Sequence, residues 1–274
     1  MVKIPKPEES PHASRYILNM TNIEEGRRSR RIGMATLGGK CTRAMWLKFR
    51  WARYSPLLNR RVRRIFRIGD AIEDLVIAEL TDIGMIITKQ QEPVEGWGGH
   101  IFGYTDGRVT NVPEAPKTEH LLEVKSMNDR NFQQLKKKGV KLSKFEHYIQ
   151  MQAYMGKLEL TRALYAVYNK NDSEIYIERV HFDRSDYKHA MSRAVDVVSS
   201  ETMPPNIIND PKNFACKWCD FIPICYEGFA MDATCRSCSK VDIEDNGKWS
   251  CRLHNKKLTF EEQEAGCEYY RPIE

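Results

Sequence analysis

The sequence predicts a mixed α/β (α+β) fold, with one sheet-centred core and a small cysteine-held C-terminal element. Three observations predict it. Helix-period and strand-period stretches alternate through the middle of the chain, 274 residues suffice for one substantial core plus an appendage, and seven of the eight cysteines follow residue 215.

The elements are read in chain order. Residues 1–35 form a polar arm carrying the basic cluster Arg27, Arg28, Arg30 and Arg31. A helical pattern starts near Gly39 and ends at the Pro56 break. A second helix spans Val62 to Asp82, with Ile65, Ile68, Ile72, Leu75, Val76 and Leu80 at helical spacing and Gly84 as its cap. Strands are expected over MIITK, HIFGYTDGRV and HLLEVKS, separated by Gly-, Asn- and Pro-containing turns. Lys136, Lys137, Lys138, Lys141 and Lys144 read as a basic loop before a helix over 144–158. Strands ALYAVYN and EIYIERVHF follow, and a last long helix, Asp186 to Glu201, runs to the Pro204-Pro205 break. The expected units are the arm (1–35), a core domain (36–228) and a tail (229–274).

Charge narrows the partners. The formal net charge is +6, yet residues 26–69 hold 14 Lys and Arg and no Asp or Glu, leaving 29 basic against 37 acidic residues elsewhere. Trp46, Phe49, Trp51, Tyr54 and Phe66 interleave with those cations, a combination that suits nucleic acid, where cations meet phosphates and rings stack on bases. A solvated helical face would look similar. No apolar run approaches the ~20 residues that cross a bilayer, and no secretory signal opens the chain. A soluble, cytoplasmic protein without a membrane partner is expected.

The chemistry concentrates in Gly103-Tyr-Thr-Asp106-Gly-Arg and Leu121-Leu-Glu123-Val-Lys125-Ser. On a strand, Glu123 and Lys125 share one face while Leu122 and Val124 turn into the core. Asp106, at the end of the preceding strand, can meet Glu123. Two carboxylates and the Val124 carbonyl make an oxygen-rich set suited to Mg²⁺ or Mn²⁺. Lys125 beside them can orient water and stabilise developing negative charge, which is what phosphodiester hydrolysis needs.

Asp106, Glu123-Val124-Lys125 and the downstream Gln150-x3-Tyr154 resemble the motifs of RecB-type nucleases in the PD-(D/E)XK superfamily. The resemblance covers roughly residues 34–228. It implies a restriction-endonuclease-like core, a mixed central sheet flanked by helices, and it implies that Gln150 and Tyr154 position DNA or active-site groups. Gly69-x3-Glu73 falls where these nucleases usually carry Gly-x3-His, so Glu73 would be an alternative oxygen ligand; a surface position on an amphipathic helix is the other reading. Arg43, Arg63, Arg64 and Arg67 are the expected DNA contacts.

Close C-x2-C pairs in an intracellular chain favour metal over disulfides. Leu37-x3-Cys41-x-Arg43 with Cys216-x2-Cys219-x5-Cys225 is similar to the iron-sulfur nucleases among CRISPR-associated exonucleases and AddB-type helicase-nucleases. The likeness implies a 4Fe-4S cluster on Cys41, Cys216, Cys219 and Cys225. A zinc site on the three downstream cysteines, with Cys41 merely buried, is the alternative. In the tail, Cys235, Cys238 and Cys251 read as zinc ligands, with Cys267 chosen as the fourth and His254 its rival. His147, His181 and His189 show no partner spacing and read as surface or core residues.

The functional expectation is a divalent-metal DNA exonuclease, acting on ends or single strands in recombination, repair or genome processing, possible phage origin included, with other replication or recombination proteins as further partners. A catalytically silent DNA-binding or assembly module on the same fold is the alternative, and a tail that docks partners is a third reading.

Overall fold

The computed structural model describes residues 28–54, 60–217 and 219–273. Arg27 and most of the expected arm, together with the Pro56 break, lie outside the described residues. In chain order the elements are β1 (Ile32–Gly33), α1 (Thr42–Phe49), α2 (Arg60–Asp82), β2 (Ile86–Thr88), β3 (Pro93–Gly96), β4 (Ile101–Tyr104), β5 (Gly107–Thr110) and β6 (His120–Met127). Then come α3 (Asp129–Ser143), α4 (Phe145–Leu158), β7 (Arg162–Asn169), β8 (Ile175–His181), α5 (Arg184–Ser199) and the short α6 (Ile222–Tyr226). The tail holds β9 (Val241–Glu244), β10 (Lys248–Cys251), β11 (Lys256–Lys257) and α7 (Phe260–Ala265).

The central sheet has the order β2-β5-β6-β7-β8. Only β6 and β7 run parallel, because α3 and α4 cross over between them; the other pairings are antiparallel. Helices cover both faces of β6, so nearly all of it is buried. Leu122 and Val124 pack with Val76 and Leu80 of α2. Leu121 and Met127, on the opposite face, join the larger cluster with Met151, Tyr154 and Tyr165. Glu123 and Lys125 share that second face by alternation. The fold class is therefore the expected one, a mixed sheet flanked by helices.

Several local expectations are corrected. The single strand expected over HIFGYTDGRV breaks at Thr105 and Asp106 into β4 and β5, which belong to different sheets. β4 lies between β1 and β3 in a second, three-stranded sheet. The expected basic loop is the helix α3: Phe132, Leu135 and Val140 are buried beneath the lysines, and the Asn128 side chain caps the start by accepting from the Asn131 N–H at 3.1 Å. Gly139, at φ 71°, kinks it. In α2, of the apolar residues at helical spacing, Ile65, Ile68 and Leu75 are exposed, by 47, 49 and 43%, whereas Val76 and Leu80 are buried. Gly84 does close α2, at φ 92°, its N–H bonded to the Thr81 carbonyl.

The tail packs on the body. Val241, Trp249 and Ile273 belong to the same apolar cluster as Ile32, Phe49 and Leu121. Arg236 lies over the Trp51 and Trp249 rings, 3.8 and 4.6 Å from their centroids, and donates to Gln263 Oε1 and the Arg30 carbonyl. Arg28 pairs with Asp232 at 2.7 Å, so the described part of the arm reaches the tail directly. Among the described residues no helix is long and apolar enough to cross a membrane.

Candidate active site

Register builds the site. β5 and β6 pair Gly107 with Leu122, which sets Asp106, one residue before β5, across from Glu123. The Val124 N–H donates to Asp106 Oδ2 at 2.7 Å, fixing the carboxylate against the strand. Lys125 Nζ forms an ion pair with Glu123, donates to the Val124 carbonyl at 3.1 Å and stands 3.8 Å from Asp106 Oδ2. Glu123 is wholly buried, and its Oε2 has no hydrogen-bond partner among the described residues. A buried carboxylate oxygen without a donor is expensive in a finished fold. Such an oxygen could be satisfied by a cation.

Glu73 completes the acidic group from α2. Its Oε1 accepts from Gln91 Nε2 at 3.3 Å, and it feels the charges of Asp106 and Lys125. Burial, with Asp106 adding to it, pushes the Glu73 carboxyl up to about 7. Burial likewise pushes Glu123 up to about 7, with Lys125 opposing and Asp106 assisting. Burial alone would lower the Lys125 ammonium, but Glu123 and Asp106 outweigh it and hold Lys125 above its usual range. Lys125 is thus a fixed cation, suited to anchoring charge rather than to giving up a proton near neutrality.

α4 roofs the group. Gln150 and Tyr154, one turn apart, are both buried, and Tyr154 donates to the Tyr104 carbonyl at 2.7 Å, two residues before Asp106. The absent side chain of Gly103 makes room, since a Cβ there would collide with the Tyr154 hydroxyl. Burial and then the nearby Glu123 and Asp106 charges raise the Tyr154 hydroxyl, so it remains a donor.

One residue was left bland by the sequence. His147 Nδ1 stands 2.6 Å from the Tyr165 hydroxyl, and Tyr165 is the register partner of Glu123 on β7. Burial and then the Lys125 and Lys144 charges push His147 down to about 3, so it is neutral. The spacing His147-x2-Gln150-x3-Tyr154, one helical face, is the signal that could have found it.

The expected DNA contacts separate. Arg63, Arg64 and Arg67 sit in the first turns of α2, with Arg64 and Arg67 exposed. Arg43 on α1 lies instead beside Cys225, whose thiol feels its charge.

The cysteines gather into two groups, all unpaired. Cys41 caps α1, its Sγ accepting from the Ala44 N–H at 3.3 Å. Burial raises the Cys219 and Cys225 thiols, and the charges of Cys41 and Cys216 act on both. In the tail, Cys235, Cys238, Cys251, Cys267 and His254 line one cavity. Burial, then Cys267, Cys238 and Cys251, pushes Cys235 up to about 11. Among the described residues, no three His, Cys, Asp or Glu side chains are placed so as to hold a metal ion. The donor types nonetheless suit their sites: oxygens around Glu123, sulfurs in both cysteine groups.

No family model matches this chain, and no curated protein matches it. Among solved structures it is similar to an alkaline exonuclease from Laribacter hongkongensis, at 16% identity over 62% of this chain and 87% of that chain, with a TM-score of 0.47. That protein in complex with dAMP gives the same values. A phage-related exonuclease from Haemophilus somnus 129PT is similar at 14% identity, covering 61% of this chain and 92% of that one, with a TM-score of 0.40.

Proposed function

We propose that the chain is a divalent-metal-dependent deoxyribonuclease, an exonuclease hydrolysing phosphodiester bonds at DNA ends or in single strands. The observation that carries this reading is the Glu123 carboxylate, buried with one oxygen unpartnered, flanked by Asp106 and Lys125. Asp106, Glu123, the Val124 carbonyl and Glu73 would hold Mg²⁺ or Mn²⁺. When bound, such an ion supplies Lewis acidity and neutralises charge on the scissile phosphate.

The protein's own residues supply the rest. Lys125, held protonated, orients the attacking water and stabilises negative charge that develops on the phosphoryl oxygens. Asp106 is pinned by the Val124 N–H, so its second oxygen stays fixed in direction. Tyr154 and Gln150 buttress the Tyr104 carbonyl and the chain that leads to Asp106. The basic first turns of α2 neutralise backbone phosphates.

The same reading assigns a 4Fe-4S cluster to Cys41, Cys216, Cys219 and Cys225, and zinc to Cys235, Cys238 and Cys251 with Cys267 or His254. Support comes from the donor chemistry and from the electrostatic proximity of the thiols within each group. Recombination, repair or genome processing is the setting that suits such an enzyme.

The test uses purified full-length protein with Mg²⁺ or Mn²⁺ and end-labelled single- and double-stranded DNA. Wild type should release nucleotides, and Lys125→Ala should lose on the order of 10²–10⁴-fold in rate while its circular dichroism spectrum shows it still folded. If both are inert across all end structures, the enzyme reading fails. Salt-sensitive binding without cleavage would then identify a silent DNA-binding module.

A further inference from the structure

α2 outruns the core that supports it. Val76 and Leu80 in its C-terminal half are buried against the sheet, and Ile72 and Ile77 pack beside them. Toward the N-terminus, none of residues 61–71 belongs to either apolar cluster formed among the described residues. Helical spacing puts Val62, Phe66, Gly69 and Glu73 on one face, at i, i+4, i+7 and i+11. Glu73 on that face answers to Asp106 and Lys125. Phe66, seven residues earlier and so ~10 Å along the axis, is 54% exposed on it.

Between the two lies Gly69. Among the described residues, a Cβ built there meets nothing within 4 Å. Glycine inside a helix destabilises it relative to alanine, and close packing, the usual structural reason to keep one, is absent. Among the described residues the space at Gly69 is open, with the Phe66 ring one turn nearer the helix start. Arg61, Arg64 and Arg67 are exposed on the same turns, and no acidic residue occurs from 60 to 69, the first being Asp70.

We propose that the overhanging start of α2 is a single-strand binding subsite, in which Phe66 stacks on a nucleobase and the gap at Gly69 passes the adjoining sugar-phosphate toward Glu73. The assignment rests on the nuclease reading above and deepens it by naming the strand form held next to the site. Charge selects the occupant: a ring among exposed arginines, on a stretch free of acids, complements a polyanion with exposed π-faces. A duplex hides those faces in its stack, whereas a single strand offers them.

The experiment measures binding of a fluorescein-labelled single-stranded oligodeoxynucleotide by anisotropy in EDTA, and cleavage of the same strand in Mg²⁺. Phe66→Ala should weaken binding by roughly 5- to 150-fold, the range for one base-aromatic stack, and Phe66→Trp should restore it. Oligonucleotides carrying one abasic position should remove the Phe66→Ala penalty at one place along the strand, which a merely structural role would not do. Gly69→Leu, filling open space, should weaken binding at least about tenfold, since stacking and passage are both obstructed, without lowering the melting temperature. If wild type binds and cleaves while Phe66→Ala and Gly69→Leu bind as tightly, the subsite is wrong and the nuclease reading stands. If wild type neither binds nor cleaves DNA, the nuclease reading falls and the subsite with it. Loss of self-association in Phe66→Ala, with DNA affinity unchanged, would overturn the subsite in favour of a contact between copies.

Discussion

Glu123 is the residue on which pH acts most directly. Its carboxyl and that of Glu73 are both pushed up to about 7 by burial, against about 4.5 when unconstrained. A carboxyl raised in the folded state holds its proton longer than in the unfolded chain, so its stabilising contribution is complete below about pH 4.5 and is lost as pH rises through about 7. The metal-free protein should therefore lose on the order of 3 kcal/mol or less from Glu123 across that window. Denaturant melts of wild type against Glu123→Gln, at pH steps from about 4.5 to about 8, should show the difference; parallel curves would refute it. Cation binding needs the deprotonated form, so protection by Mg²⁺ should grow over the same steps. At this scale the sequence was informative: strand alternation alone set Glu123 beside Lys125. His147 was illegible because its meaning depends on Tyr165, brought close only by the β6–β7 register.

Elements were legible where local periodicity and tertiary burial agreed. α4, α5 and the C-terminal half of α2 follow their apolar spacing. α3 did not, because four lysines dominate its composition while only Phe132, Leu135 and Val140 mark its buried side. The split of β4 from β5 depends on Asp106 bonding to a strand that lies elsewhere in the sequence, and no propensity records that. The α4–α5 contact yields a prediction. A Cβ at Gly156 would collide with the Tyr187 ring, so Gly156→Ala should cost about 1–3 kcal/mol of overpacking, read as a lower urea midpoint. An unchanged midpoint would mean that the helices can separate without penalty.

For the whole molecule, the proposed metals at the cysteine groups would set the response to chelation. Ligands at Cys41 and at Cys216 to Cys225 would tie the two ends of the body together, closing a long loop whose entropy burdens the unfolded state. Anaerobically purified protein should be brown and contain iron, sulfide and zinc, and chelation should lower its melting temperature. Colourless protein containing zinc alone would assign zinc to both groups. The gathering of the tail's cysteines around one cavity was readable in their spacing. The tail's attachment was not, because Arg236 over Trp51 and Trp249 joins three distant stretches through ring faces rather than through any spaced motif.

That shared cluster also dictates an order of events during synthesis. Ile32 and Phe49 are synthesised well before Val241, Trp249 and Ile273, which complete their surroundings. At about 5–20 residues per second the early half waits many seconds for its closing partners. A message cut short before codon 249 would thus yield a chain whose body stays open, and whose exposed apolar surface marks it for chaperones or proteolysis.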